Sequence, residues 1–211
     1  GSMWRRLPAP VRWLVVLAIL AVPIWLVWPP LAMTMPPGVL APADPVQVDL
    51  TVGPTWTREE LLITGVATFE LTAKVLGRER YWMGREASLS PIDLALGWGP
   101  MSNQAIVDQI DVSQGGRWYQ WSTSAFPIAE AEIVSHSANM HILPANPAVE
   151  AFVMRARPGQ IIGLAGHLVE VRADDGWHWR SSLTRLDTGD HSCEVFWVER
   201  AWDPLVAGST P

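Results

Sequence analysis

The sequence predicts a mainly β fold of the β-rich α+β class: a small, partly closed OB-like barrel with one or two short helices, preceded by one transmembrane helix. Three observations carry this expectation. Ala67, Phe69, Leu71, Ala73 and Val75 alternate with Thr68, Glu70, Thr72 and Lys74, the period-two pattern of a half-buried strand. Asp174-Asp175-Gly176 supplies turn residues between two strand-like runs, 160–172 and 177–184. From Trp13 to Trp28 the run WLVVLAILAVPIWLVW holds no charged residue.

At 211 residues the chain has room for an anchor and one domain with a real core. Gly1-Ser2 before Met3 is read as a tag remnant, and residues 1–10 as that remnant plus a cytoplasmic N-terminus. Residues 11–28 reach the lower limit for spanning a hydrocarbon core at about 1.5 Å per residue. Trp4, Trp13, Trp25 and Trp28 suit the two interfaces, and a kink at Pro23 is tolerable in lipid. Arg5, Arg6 and Arg12 precede the run, which places the N-terminus in the cytoplasm and the rest on the periplasmic side of a bacterial inner membrane. A cleaved signal peptide and a buried core helix are the competing readings. The first meets prolines where a small-residue cleavage site is needed, and the second lacks any polar face.

The overall formal charge is −6, and the first 28 residues carry three arginines and no carboxylate, so the remainder carries −9. That acidity disfavours a nucleic-acid surface. Cys193 is the single cysteine, so no intrachain disulfide framework exists and the redox compartment is left open.

Residues 29–45, PPLAMTMPPGVLAPADP, are rich in proline and predict an extended spacer. The globular domain is then expected over 46–204, with a flexible tail over 205–211. Residues 46–52 and 117–122 predict short strands, the latter after the Gly115-Gly116 turn. One helix is expected over 103–110. A second begins at Asn146 as cap with Pro147 at the first helical position, and Pro158-Gly159 stops the chain after it. A last strand is expected over 193–199.

Four polar or aromatic clusters could carry function. In SHSANMH, 135–141, His136 and His141 flank Asn139, but on a strand their odd spacing puts the two imidazoles on opposite faces. They share a metal only if the segment bends; otherwise they are structural. In SSLTRLDTGDHSCE, 181–194, Asp187-Thr188-Gly189 has the form of an aspartic-protease tripeptide, but one copy supplies one carboxylate where the chemistry needs two. The other reading is a long turn in which Asp and Thr side chains bond their own backbone and Gly189 takes a positive φ. Cys193 is a candidate nucleophile with His191, His136 or His141 as base, or a small buried apolar residue. Zinc held by Cys193 and histidines has no recognised ligand spacing, so no metal and no cofactor is expected. In 94–104, Gly97 and Gly99 flank Trp98 without the Lys-Ser/Thr of a phosphate loop, which predicts a tight turn with Trp98 in the core. Gly159, Gly163 and Gly166 are read in the same way. Trp118, Tyr119, Trp121, Trp177 and Trp179 form a stacking platform if exposed, and core or a barrel-mouth cover if not.

The stretches at 36–42, 90–102, 135–147 and 181–199 resemble a family of bacterial proteins with an N-terminal hydrophobic segment and no assigned activity. The resemblance implies that these polar strings belong to the architecture, and it brings no catalytic residue with it. The function expected is therefore a membrane-anchored, envelope-side binding or accessory domain that meets a protein partner or envelope ligand and no nucleic acid. Its candidate binding residues are His136, Asn139, His141, Arg185, Trp177 and Trp179. The alternative is a periplasmic hydrolase or redox enzyme, Cys/His-dependent or metal-dependent, drawing on Cys193, His191, His141 and Asp187. The sequence leaves oligomeric state open.

Overall fold

A computed structural model describes residues 8, 10–13, 15–16, 30–184 and 193–207. The chain forms two units, 1–31 and 32–211. In the first, residues 10–13 and 15–16 are helical. Residues 14 and 17–28 of the expected anchor lie outside the described residues, and among those described no helix is long and apolar enough to cross a membrane.

The second unit is mainly β. Its strands are β1 (Val46–Asp49), β2 (Thr55–Arg58), β3 (Leu61–Arg80), β4 (Ile92–Gly97), β5 (Asp111–Gly115), β6 (Trp118–Ser122), β7 (Ser137–Pro144), β8 (Ile161–Ala173), β9 (His178–Arg180) and β10 (Glu194–Trp202). The main sheet runs β1-β3-β4-β7-β10-β8-β9, with β2 beside β3 and with β8 pairing back onto β3. Strands β7 and β10 are parallel, and the other pairings are antiparallel. Strands β5 and β6 form a separate hairpin.

The alternation over 67–75 belongs to β3, whose 20 residues extend well beyond it. Two bulges decide which core each stretch of the strand enters. Register shifts between Gly65 and Ala67 and between Val75 and Gly77 each insert one residue, Val66 and Leu76, and turn the strand over. Leu61 and Ile63 therefore pack into one core with Val169, Val171, Val195 and Trp197, whereas Phe69, Leu71 and Val75 pack into another with Leu94, Met140, Ile142 and Phe196. Phe69 and Phe196 meet edge to face at 5.1 Å in that inner core. The sheet is covered on both faces over β4, β7 and β10, so polar residues such as Asp93 and His141 are buried there too and burial does not alternate along those strands.

Among the described residues of this unit there are five helices, none longer than seven residues: α1 (Arg85–Leu89), α2 (Gln104–Val107), α3 (Glu130–Ser135) and α4 (Pro147–Val153) between strands, and α5 (Pro204–Ala207) after the last. The sequence predicts one or two. Helices α2 and α4 are those two, capped by Asn103 and Asn146, whose side chains accept from Ala105 N and Val149 N. The others span one turn or little more, too short for a 3.6-residue period to register. Trp98 is buried in the turn between β4 and the 3₁₀ segment Gly99–Ser102. Gly176, with φ +87, closes the β8–β9 turn, but β9 stops at Arg180, short of the expected Thr184. The first strand ends at Asp49, short of Val52, because the chain turns there to bring Gly53 against the Gly65 carbonyl. Strand β10 runs on to Trp202, past the expected end at Glu199.

Gly166 sits opposite the β10 bulge at Glu199, where an added Cβ would lie 2.0 Å from the Trp197 carbonyl oxygen. Backbone cannot yield there as a side-chain tip can. Gly166→Ala is expected to lower the unfolding free energy by roughly 2–3 kcal/mol, read as a lower urea midpoint at unchanged slope.

Candidate functional site

Inner-core residues Leu94, Met140 and Phe196 alternate with Asp93, Asn139, His141 and Cys193, so these polar side chains share the outer face of the sheet. Register sets them in two neighbouring rows. Asp93 pairs with His141 and His141 with Val195 in one row; Ala95 pairs with Asn139 in the next, at the start of β10 where Cys193 lies.

Asp93 is wholly buried, and its carboxylate organises the group. Arg117 Nη1 donates to Oδ1 at 2.6 Å, and His141 Nδ1 lies 3.0 Å from the same oxygen. That imidazole contact is off the ring's N–H direction and makes no directed hydrogen bond, so its value is electrostatic. Asn139 Nδ2 is 3.5 Å from Oδ2, and Ser90 Oγ is 3.5 Å from Oδ1.

Arg117 reaches this site from the turn of the β5–β6 hairpin. Gly115 pairs with Trp118, and the two residues between, Gly116 at φ +58 and Arg117 at φ +71, make a type I′ turn. A non-glycine residue in the left-handed region costs about 1 kcal/mol. The side chain offsets it: Nη1 also donates to Ser90 Oγ at 3.2 Å and Nη2 to the Ser90 carbonyl at 2.9 Å. Its guanidinium lies 3.7 Å over the Tyr81 ring and 5.5 Å from that of Trp179, and its backbone N–H donates to Tyr81 Oη at 2.9 Å.

The rest of the hairpin is seated on β7 by Gln114 Nε2, donating to Asn139 Oδ1 at 2.7 Å, and by Tyr119 Oη, donating to Ser137 Oγ at 3.0 Å. Gly77 allows the approach, because a Cβ there would lie 2.6 Å from Gln114 Oε1. Tyr81 is pushed up to about 12 by burial first and by the Asp93 charge next. Burial also raises Tyr119.

Cys193 Sγ contacts Asn139 Nδ2 and the Arg117 carbonyl, each at 3.9 Å. Burial pushes its thiol up to about 11; Asn139 pulls the other way, and the charges of Glu194 and Asp93 raise it further. A nucleophilic thiol needs the opposite shift, so this arrangement holds Cys193 protonated and inert at neutral pH. The His141 ring is tilted against Trp179, with centroids 4.9 Å apart.

Of the residues singled out in the sequence, the fold brings together Asn139, His141, Cys193 and Trp179. Trp177 is beside Trp179, at 6.3 Å between centroids, with Arg85 over its ring at 5.2 Å. His136 stands apart: it follows α3, its Nδ1 lies 2.9 Å from the Glu132 carbonyl, and Nε2 lies 3.9 Å from Asp44. The expected opposition of His136 and His141 across one strand therefore gives way to two separate elements. Arg185, Asp187, Asp190 and His191 lie outside the described residues. Among the described residues no three His, Cys, Asp or Glu side chains gather as a metal site. Sequence reasoning missed Asp93, Arg117, Tyr81 and Gln114. The signal for Asp93 was a lone carboxylate inside the apolar run IDLALG, and for Arg117 its place after a Gly-Gly turn. The aromatic set divides: Trp121 packs on Phe126 at 6.2 Å, whereas Trp118 is exposed.

Arg117→Ala strands a buried carboxylate and is expected to cost roughly 3–5 kcal/mol in chemical denaturation, with Asp93→Asn recovering part of the loss in a double-mutant cycle. The Cys193 thiol has a further consequence. Its ordinary value of 9.0 describes the unfolded chain and about 11 the folded one, so between these values the unfolded chain holds fewer protons. The contribution is complete below pH 9 and declines as pH rises to 11. Cys193→Ala should flatten the fall in unfolding free energy over that window, measured by urea titration at successive pH values; an unchanged slope would show that the thiol is not shifted. Comparison with family models, with curated proteins and with solved structures matches this chain to none of them.

Proposed function

We propose that the chain is a membrane-anchored, envelope-side binding or accessory module whose β-rich unit is an OB-like barrel. Support for the barrel comes from the pairing path β3-β4-β7-β10-β8 and back to β3, with its parallel β7–β10 pair and α4 between the third and fourth of these strands. In an OB-like arrangement the face of the second and third strands is the ligand face, here the outer face of β4 and β7. The uncharged run within 11–28 and the arginines before it support a single pass through a bacterial inner membrane, with the N-terminus cytoplasmic.

One observation carries the binding reading. Arg117 ties two loop tips together, the β5–β6 turn and the segment after β3, and each tip presents large apolar side chains to solvent: Trp118 on one, Trp82 and Met83 on the other. Asp93, Asn139 and Ser137 on the face are engaged by residues of the β5–β6 hairpin, and its thiol is held protonated. The module therefore offers a surface to a protein partner or envelope ligand and draws on no cofactor. The alternative, a Cys/His-dependent periplasmic enzyme, is favoured by the shared face of Asp93, His141 and Cys193 and opposed by the direction of the thiol shift.

Two measurements test the proposal. Alkaline phosphatase fused after Pro211 should be active in the periplasm; activity confined to a cytosolic reporter at the same position ends the topology. Trp82→Ala/Trp118→Ala should keep the unfolding free energy within about 0.5 kcal/mol of the parent yet fail to complement deletion of the gene. Full complementation would remove these tips from the function.

A further inference from the structure

Residues 29–45 have the composition of a free spacer, yet from Met33 the backbone is bonded into the β-rich unit. Met33 N donates to the Pro158 carbonyl at 2.7 Å, and Gly159, with φ +88, leaves room for the Met33 carbonyl, which would lie 1.8 Å from a Cβ. Three consecutive side chains then accept from the passing chain. Gln104 Oε1 accepts from Met35 N at 3.4 Å, Asn103 Oδ1 from Gly38 N at 2.9 Å, and Ser102 Oγ from Leu40 N at 3.1 Å and Ala41 N at 3.0 Å. The Ala41 carbonyl is taken in turn by Gly99 N at 2.8 Å, and Ala41 is buried. Prolines 36 and 37 have no N–H to leave unpaired between these bonds.

Gln104 joins the strap to something unusual, the sole lysine of the chain. Lys74 is wholly buried, and its Nζ donates at 2.8 Å to the same Oε1 that meets Met35 N, while Gln104 Nε2 donates to Asp108 Oδ1 at 2.7 Å. An amide that receives a buried ammonium on its oxygen and gives to a carboxylate from its nitrogen has one workable orientation, so Gln104 cannot flip without stranding a charge.

We propose that residues 33–41 are a fixed strap latched by Ser102, Asn103 and Gln104 over Lys74, so that the point where the chain leaves the unit toward its N-terminus is rigid relative to the sheet. The strap itself does not depend on the proposed function. A free spacer would leave residues 33–41 to sample many conformations, whereas the strap holds them to one.

Hydrogen exchange on the full chain in detergent micelles tests the strap. The amides of Met33, Met35, Gly38, Leu40 and Ala41 should exchange at least about 100-fold more slowly than an unstructured peptide. Rates near the unstructured limit would overturn the proposal without touching the anchored reading. In Ser102→Ala/Asn103→Ala/Gln104→Ala, strap amides should speed up at least about tenfold while those of Leu164 and Leu168 keep their protection. Because Lys74 is the sole lysine, its acylation by an amine-reactive ester, located by peptide mapping so that reaction at the N-terminal amine is set aside, reads the latch independently: slow in the parent, faster in the variant. Equal rates in both, or strap protection unchanged in the variant, would overturn the latch. Should the triple variant not fold, exchange and acylation in the parent still decide.

Discussion

A carboxylate with no exposure on the outer face of a sheet must be met by positive charge or donors, and Asp93 is met by a residue 24 positions away in sequence. Much of the outer surface follows from that need. Arg117 can deliver its guanidinium only from a tight left-handed turn, which requires Gly116 beside it and sets the β5–β6 hairpin across β4 and β7. With the hairpin in place, Gln114 and Tyr119 find Asn139 and Ser137, and the Arg117 guanidinium covers the Tyr81 ring in the β3–β4 connection.

The two bulges of β3 let one sheet carry two cores. Val66 and Leu76 each turn the strand over, so a single 20-residue element buries Leu61 and Ile63 on one side and Phe69, Leu71 and Val75 on the other. Glycine recurs where strands or side chains come close: Gly77 beneath Gln114, Gly166 against the β10 bulge. An outer core needs cover, which comes from Trp56, stacked on Trp197 at 5.1 Å, and from Trp177 and Trp179. Among the described residues, Trp56, Trp98, Trp121, Trp177, Trp179 and Trp197 are thus engaged in packing.

The same burial that stabilises the site opposes a thiolate at Cys193. Desolvation disfavours a thiolate, the neighbouring carboxylates disfavour it further, and Asn139 is a neutral amide that compensates only in part. A histidine nearby would activate the sulfur only through a directed proton path, and His141 is turned toward Asp93 and Trp179. Among the described residues the face is therefore a scaffold for the two loop tips that Arg117 joins.

By itself the sequence determined the local features. The alternation at 67–73, the Asn146 cap, the Gly176 turn and the burial of Trp98 appear where expected, whereas Lys74, assigned by the same alternation to the wet face, is buried. A mainly β class followed from these. Only the tertiary structure decided what meets across long separations: Asp93 with Arg117, Gln114 with Asn139, the proline-rich stretch with Ser102 to Gln104. Composition made residues 29–45 look like a spacer because proline forbids helices, but it says nothing about acceptors elsewhere for the N–H groups that remain. His136 and His141 looked like partners because they are close in sequence, and a helix end falling between them sent one to Asp44 and the other to Asp93. Periodicity and capping are short-range physics and can be read from one chain; the pairing of buried charge is long-range and is settled when the sheet assembles.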